Sequence, residues 1–247
     1  MSTLAETAAI EVFEWYSDIE RRTLDIVRVL PFSEYSALKT IHSPRLATVL
    51  LETASIVDTL LRHKMPAQFA GANGKQRVKK NANIEDYRQV LEPDLQLSQS
   101  QSLLLKGVPV LLSPFSAWAT TTSDIDWWKA YNGLKHDRLK DARNVTLKHC
   151  VDALCALHQA MLKVVEIRRL VFRFGWADTG GYNPIIAIKD LENPKITMGY
   201  IAYTEFFATF LHPAHFATVD DIRPVMFRNK KRLESHLGRL GTRAECE

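Results

Sequence analysis

Between Trp127 and Arg138 the chain reads WWKAYNGLKHDR, which gathers three aromatic rings, a carboxamide, an imidazole and three cations into one short stretch. On a helix turning about 100° per residue, Trp127, Tyr131, Leu134 and Arg138 share one stripe, and Trp128, Asn132 and His136 share the next. The second stripe sets an amide one turn from an imidazole. Imidazoles carry protons to and from reacting hydroxyls near neutral pH, and a neighbouring guanidinium or ammonium steadies the charge that builds on a phosphate. His136, Asn132, Lys135, Arg138 and Tyr131 are therefore the candidate catalytic residues. An architectural reading competes at each position. Trp127, Tyr131 and Leu134 suit a core-facing stripe, His136 and Asn132 suit a buried hydrogen-bonded pair, and Asp137 with Arg138 suits a surface ion pair. Two adjacent tryptophans do not both fit that stripe, so Trp128 is expected to face outward, where a base or a partner subunit would cover it.

The stretch YNGLKH resembles the RNxxxH helix motif of the HEPN superfamily, with Asn132 on the motif's Asn, Leu134 on its apolar position and His136 on its His. Tyr131 stands where the motif has Arg. Over residues 1–172 the resemblance implies a bundle of four or five helices and a homodimer whose paired sites cleave RNA without a metal, in a toxin or antiphage setting. It equally admits a member without catalysis that serves as a scaffold or regulatory subunit for a partner protein. In active members the His moves a proton at the ribose 2′-hydroxyl and the Arg stabilises the phosphorane. Tyr131 carries no such charge, which leaves Arg138 and Lys135, the latter about 40° from Tyr131 around the helix, as substitutes. A second alignment, ARNVTLKHC, restores an arginine with Arg143, Asn144 and His149 at a longer spacing, and makes Arg143 a candidate to complete a site with His136.

RNA contact would need further cations. Lys75, Arg77, Lys79 and Lys80 lie in GKQRVKKN, and Arg228, Lys230, Lys231 and Arg232 form a second run. Either run would follow a phosphate backbone, or simply be solvated surface. The net charge of +4 is a mild basic excess that permits such partners without requiring them. No Walker loop, GxSxG elbow, HExxH or GxGxxG occurs, and His212 with His215 lacks a third ligand, so neither metal nor cofactor is expected. Cys150, Cys155 and Cys246 are odd in number and form no CxxC pair, the N-terminus is acidic where a signal peptide would be basic, and no long apolar run occurs. A cytoplasmic protein with no membrane partner is the expectation.

The length of 247 residues suits one principal core with an appendage. Apolar residues at 46% and charged residues at 24% are ordinary globular values. Residues 3–30 have a helical apolar period closed by Pro31. Ser43 and Pro44 open a strongly apolar second helix, on which Glu52 and Asp58 need partners that His136 or Arg138 would supply. Residues 71–83 read as an exposed loop, and IEDYRQVLE as a short helix stopped by Pro93. Residues 101–117, with a turn at Lys106 and Gly107, signal a hairpin in which Pro109 favours an edge. Ser123 and Asp124 are expected to open the motif helix, and residues 142–172 to form one long helix. Beyond Phe172 glycines mark a boundary, IIAIKD suggests a strand, GYIAYTEFFATFL is of open type, and IRPVMFRNKKRLESHLGRL suggests a terminal helix. The fold expected is mainly α: a helical bundle, HEPN-like on the resemblance, with a small β-hairpin insertion over residues 1–172, and an α+β C-terminal appendage over 173–247.

Overall fold

Apolar residues at helical spacing define α1 (Glu6–Arg28), which buries Val12, Phe13, Tyr16 and Ile19 on one side, together with the charged Glu20. The computed structural model describes residues 4–29, 34–71, 74–107, 110–120, 124–177, 183–192 and 201–211. After a 3-10 turn over Tyr35–Thr40, α2 (Pro44–Lys64) starts as its residues dictate: the Ser43 hydroxyl accepts from the Arg45 N–H, and Pro44 occupies the first turn, where no N–H partner is needed. Strands β1 (Gln68–Ala70) and β2 (Gln76–Val78) form a short hairpin. Next, α3 (Ile84–Leu95) begins with an Asn83–Asp86 capping box and ends where Gln96 turns left-handed. Strands β3 (Ser102–Leu104) and β4 (Val110–Leu112) make the second hairpin. The motif helix α4 (Asp126–His136), the single turn α5 (Arg138–Asp141) and α6 (Leu147–Lys163) follow, then the short α7 (Val165–Arg168) and α8 (Pro184–Glu192).

Helix α6 is the centre of the packing: α1, α2, α4, the 35–40 turn and the sheet all lean on it. Its run LCALHQAML is buried throughout, so it behaves as a core helix with no solvent face there. Strands β5 (Ile201–Tyr203) and β6 (Phe207–Phe210) complete an antiparallel sheet ordered β4-β3-β6-β5. Polar side chains key that sheet onto α6: the Gln159 amide donates to the Ser102 hydroxyl at 2.9 Å, and the Thr209 hydroxyl donates to the same oxygen at 2.6 Å. The mainly helical architecture with small β elements is as the sequence suggested, including the β3–β4 hairpin, whose β4 is an edge strand.

Several local expectations are corrected. The stretch expected as a loop over 71–83 contains β2, which pairs with β1 just before it across a turn in which Gly74 has φ of 73° and donates its N–H to the Gly71 carbonyl. Pro93 does not stop α3; it sits in the last turn, and the N–H groups of Leu97 and Ser98 beyond it bond the Glu92 carboxylate instead. The long helix expected over 142–172 is broken: a Thr146–His149 capping box starts α6 afresh, and extended Val164 ends it. IIAIKD is helical, because Asn183 caps the Ile185 N–H and Pro184 fixes the first turn, which outweighs the β-branched run. Across residue 172, β6 pairs with β3, and the described residues all fall in one unit, Met1–Pro213. His212, His215, the 228–232 cations and the expected terminal helix lie outside the described residues.

Candidate functional site at the end of the motif helix

Helix α4 is held by its aromatic residues. Trp127, Trp128, Tyr131 and Leu134 are each at most 5% exposed, so the buried arc takes in Trp128 of the second stripe, which does not face outward. Its ring packs edge-on against Tyr87 of α3, Tyr131 and Trp127, leaving no open face for a base. The Trp127 indole donates to the Pro114 carbonyl at 3.2 Å. The start of α4 also differs from expectation: apolar Ile125 occupies the cap position without a side-chain bond, and Asp124 pairs with Lys129 on the surface. Tyr131, in the motif's arginine position, is 2% exposed, with its hydroxyl 3.4 Å from Ser55 Oγ on α2.

Where α4 ends, the charged residues separate. Asp137, with a non-helical backbone, ends the helix and turns its carboxylate to cap the Lys140 N–H at 3.1 Å, and no Asp137–Arg138 ion pair forms. Arg138 instead donates to Thr48 Oγ1 on α2 at 2.9 Å. Lys135 Nζ lies 5.0 Å from the Tyr131 ring centroid and 4.0 Å from Asp58. Asp58 is 9% exposed, and its partners are the Tyr87 hydroxyl and the Arg62 guanidinium, each at 2.7 Å, rather than His136 or Arg138. Burial first, then the bond to Asp58, pushes the Tyr87 hydroxyl well above its ordinary pKa. Glu52 pairs with Arg22 of α1. Gly133 faces the return of the chain: a Cβ there would lie 2.9 Å from Asp141 Oδ2, so its bareness lets α5 fold back on α4.

His136 is exposed and its ring has no hydrogen-bond partner among the described residues, while Asn132 is half-buried beside it. The buried pair weighed above is therefore not formed. What stands at the end of α4 is an open imidazole flanked by two cations, each positioned by a contact to α2 or α4.

The remaining candidates scatter. Arg77 pairs with fully buried Asp86 at 2.6 Å, and Lys79 donates to the His63 carbonyl at 2.6 Å, so both tie the β1–β2 hairpin to the helices beside it. Lys75 and Lys80 are exposed. Arg143 is exposed on a 3-10 turn, and no hydrogen bond or ion pair joins it to His136. In the second alignment His149 is part of the α6 cap, its Nδ1 accepting the Thr146 N–H at 3.3 Å; burial lowers its pKa.

Sequence reasoning missed a second polar cluster at the other end of α4. There a cavity of about 340 Å³ is lined by Tyr35, Asp152 and Lys148, with Asp124, Asp126 and Trp127. The Tyr35 hydroxyl and the Lys148 ammonium both donate to Asp152, and Lys148 Nζ lies 5.2 Å from the Tyr35 ring centroid. Burial and the adjacent Asp152 charge push the Tyr35 hydroxyl far above its ordinary pKa. A lysine and an aspartate four apart on an otherwise apolar helix were the available signal; Tyr35, 117 residues away, gave none. His158 was missed as well. It is fully buried between Tyr16, Trp176 and Phe207, stacked on the Trp176 ring at 5.3 Å, and neither ring nitrogen has a partner among the described residues.

No protein-family model, no curated protein and no solved structure matches the chain. No helix among the described residues is long and apolar enough to cross a membrane.

Proposed function

We propose that the protein binds RNA at the end of α4 and cleaves it there without a metal, as the HEPN-like motif implies. The observation that carries this is the exposed, unpartnered His136 ring between Lys135 and Arg138, since a histidine kept for packing would be enclosed or hydrogen-bonded. His136 takes the proton from a ribose 2′-hydroxyl; the 2′-oxygen attacks the adjacent phosphorus and the bond to the 5′-oxygen breaks, leaving a 2′,3′-cyclic phosphate. The departing 5′-oxygen is protonated by a water or by the His136 of a second copy. Arg138 and Lys135 offset the charge on the phosphorane. A cytoplasmic homodimer in a toxin or antiphage system is the setting this reading entails.

One observation favours a second reading, a scaffold or regulatory subunit without catalysis: Tyr131 fills the motif's arginine position with a buried ring. Incubation with structured RNA in EDTA distinguishes the two. Cyclic-phosphate ends that vanish in His136→Ala and fall sharply in Arg138→Ala support the nuclease. RNA binding without cleavage supports an RNA-binding module, and loss of both activities in the wild type turns the search to a protein partner captured by pull-down.

A further inference from the structure

We propose that the cavity between α6, the N-terminal end of α4 and the 35–40 turn binds a small zwitterion of the α-amino-acid type. Its polar wall is built rather than incidental. Asp152 is 10% and Lys148 19% exposed at the side chain, and the carboxylate is fixed from two sides by the ammonium and by the Tyr35 hydroxyl. An ammonium has three donors; one is used on Asp152, which leaves Lys148 able to receive a carboxylate. The Tyr35 oxygen donates its proton to Asp152 and keeps its lone pairs for an incoming donor.

Charge selects the ligand. Asp124 pairs with Lys129, and Asp152 is held by the Tyr35 hydroxyl as well as by Lys148, so the acid on the wall with no hydrogen-bond or ion-pair partner among the described residues is Asp126. A simple anion would meet Lys148 but be repelled by Asp126, and a simple amine would meet the reverse. A molecule carrying carboxylate and ammonium on one carbon satisfies both, with Ser113 and Ser116 available to the remaining polar atoms. About 340 Å³ holds an amino acid together with its side chain. The site lies roughly 15 Å along α4 from His136, given about 1.5 Å of rise per residue, so it is separate from the proposed RNA site.

The test is calorimetric titration of the full chain with each of the twenty common α-amino acids, then with the N-acetyl and methyl-ester forms of any that bind. The expected result is saturable binding at about 1 mM or tighter for at least one of them, weakened about tenfold or more by blocking either pole. Asp126→Asn, at an exposed position, should weaken it comparably with an unchanged circular dichroism spectrum; Lys148→Met should do the same, and if it fails to fold the Asp126 variant and the blocked ligands carry the result. No binding by any amino acid at about 10 mM overturns the proposal. So does equal binding of parent and blocked forms, or an Asp126→Asn protein that binds as the wild type does.

Discussion

His158 gives the sharpest quantitative expectation. Its ring is enclosed by Tyr16 of α1, Trp176 and Phe207 of β6, with no hydrogen-bond partner for either nitrogen among the described residues, and burial pushes its pKa down to about 3 from an ordinary 6.5. A group depressed on folding contributes stability that is present above its unfolded pKa and lost as the pH falls towards the folded one. Between pH 6.5 and 3 the unfolded chain therefore gains a proton that the native protein refuses. At about 1.4 kcal/mol per pH unit, the loss reaches about 2 kcal/mol at pH 5 and about 5 kcal/mol near pH 3. Glu20 works in the opposite direction, because burial raises its pKa and acidification relieves the strain of keeping it charged. A direct comparison of wild type with His158→Phe cancels that and every other shared titration. Phe preserves the stack on Trp176 and removes two buried unpartnered nitrogens. Urea unfolding followed by circular dichroism at pH 7.5 and pH 5 should show the variant gaining about 2 kcal/mol on the wild type over that interval. A wild-type-to-variant difference that is the same at both pH values refutes the account of a sealed, neutral ring.

Two further expectations concern the surroundings of α4. Tyr87→Phe, which removes one of the two bonds of nearly buried Asp58, should cost about 1–2 kcal/mol in urea unfolding, and Asp58→Ala, which takes the carboxylate from both Tyr87 and Arg62 and leaves them only the Arg62 Nε–Tyr87 hydroxyl bond, should cost more, about 2–4 kcal/mol. Trp128→Ala should cost about 3–5 kcal/mol in thermal or urea unfolding, as befits a ring packed on Tyr87, Trp127 and Tyr131; a variant of native stability that loses only RNA binding would restore the outward-facing assignment.

Long, periodic segments with explicit start signals were legible in the chain: Ser43–Pro44 opens α2, and the apolar period of α1 is matched by its buried side. The hairpin at residues 102–112 was legible because a glycine-bearing turn separates two apolar runs. What failed did so where a local signal was outweighed by something distant or smaller. IIAIKD carries β-branched residues, but two residues at its start, Asn183 and Pro184, decide for a helix. Strands β1 and β2 are three residues each, too short to show alternation, and only Phe69 among them is fully buried. Trp128 was misplaced because a helical wheel supposes one buried face, whereas α4 is covered by α2 and α6 and by aromatics from α3 and the 115–118 turn at once. The Tyr35–Asp152–Lys148 cluster depends on a contact across 117 positions, which no spacing rule encodes.

The same covering bears on the motif itself. A short motif names residue types at fixed spacing, and the spacing from residue 131 to 136 spreads them over an arc of about 500°, more than one full turn. The arc begins inside the core and ends in solvent: Tyr131 is buried against Trp128 and Ser55 with the Lys135 ammonium over its ring, and His136 is open. Placing a guanidinium at position 131 would bury it among rings and hydroxyls, and Asp58, which Lys135 approaches to 4.0 Å, is already bonded to Tyr87 and Arg62. Burying a cation without a partner of its own costs several kcal/mol, so the motif's arginine is not one substitution away. Any cation that serves His136 must come from beyond the helix end or from its outer edge, which is where Arg138 and Lys135 already stand. The tyrosine thus reads as a core residue, and the chemistry proposed for this helix end would rest on the groups that the core leaves outside.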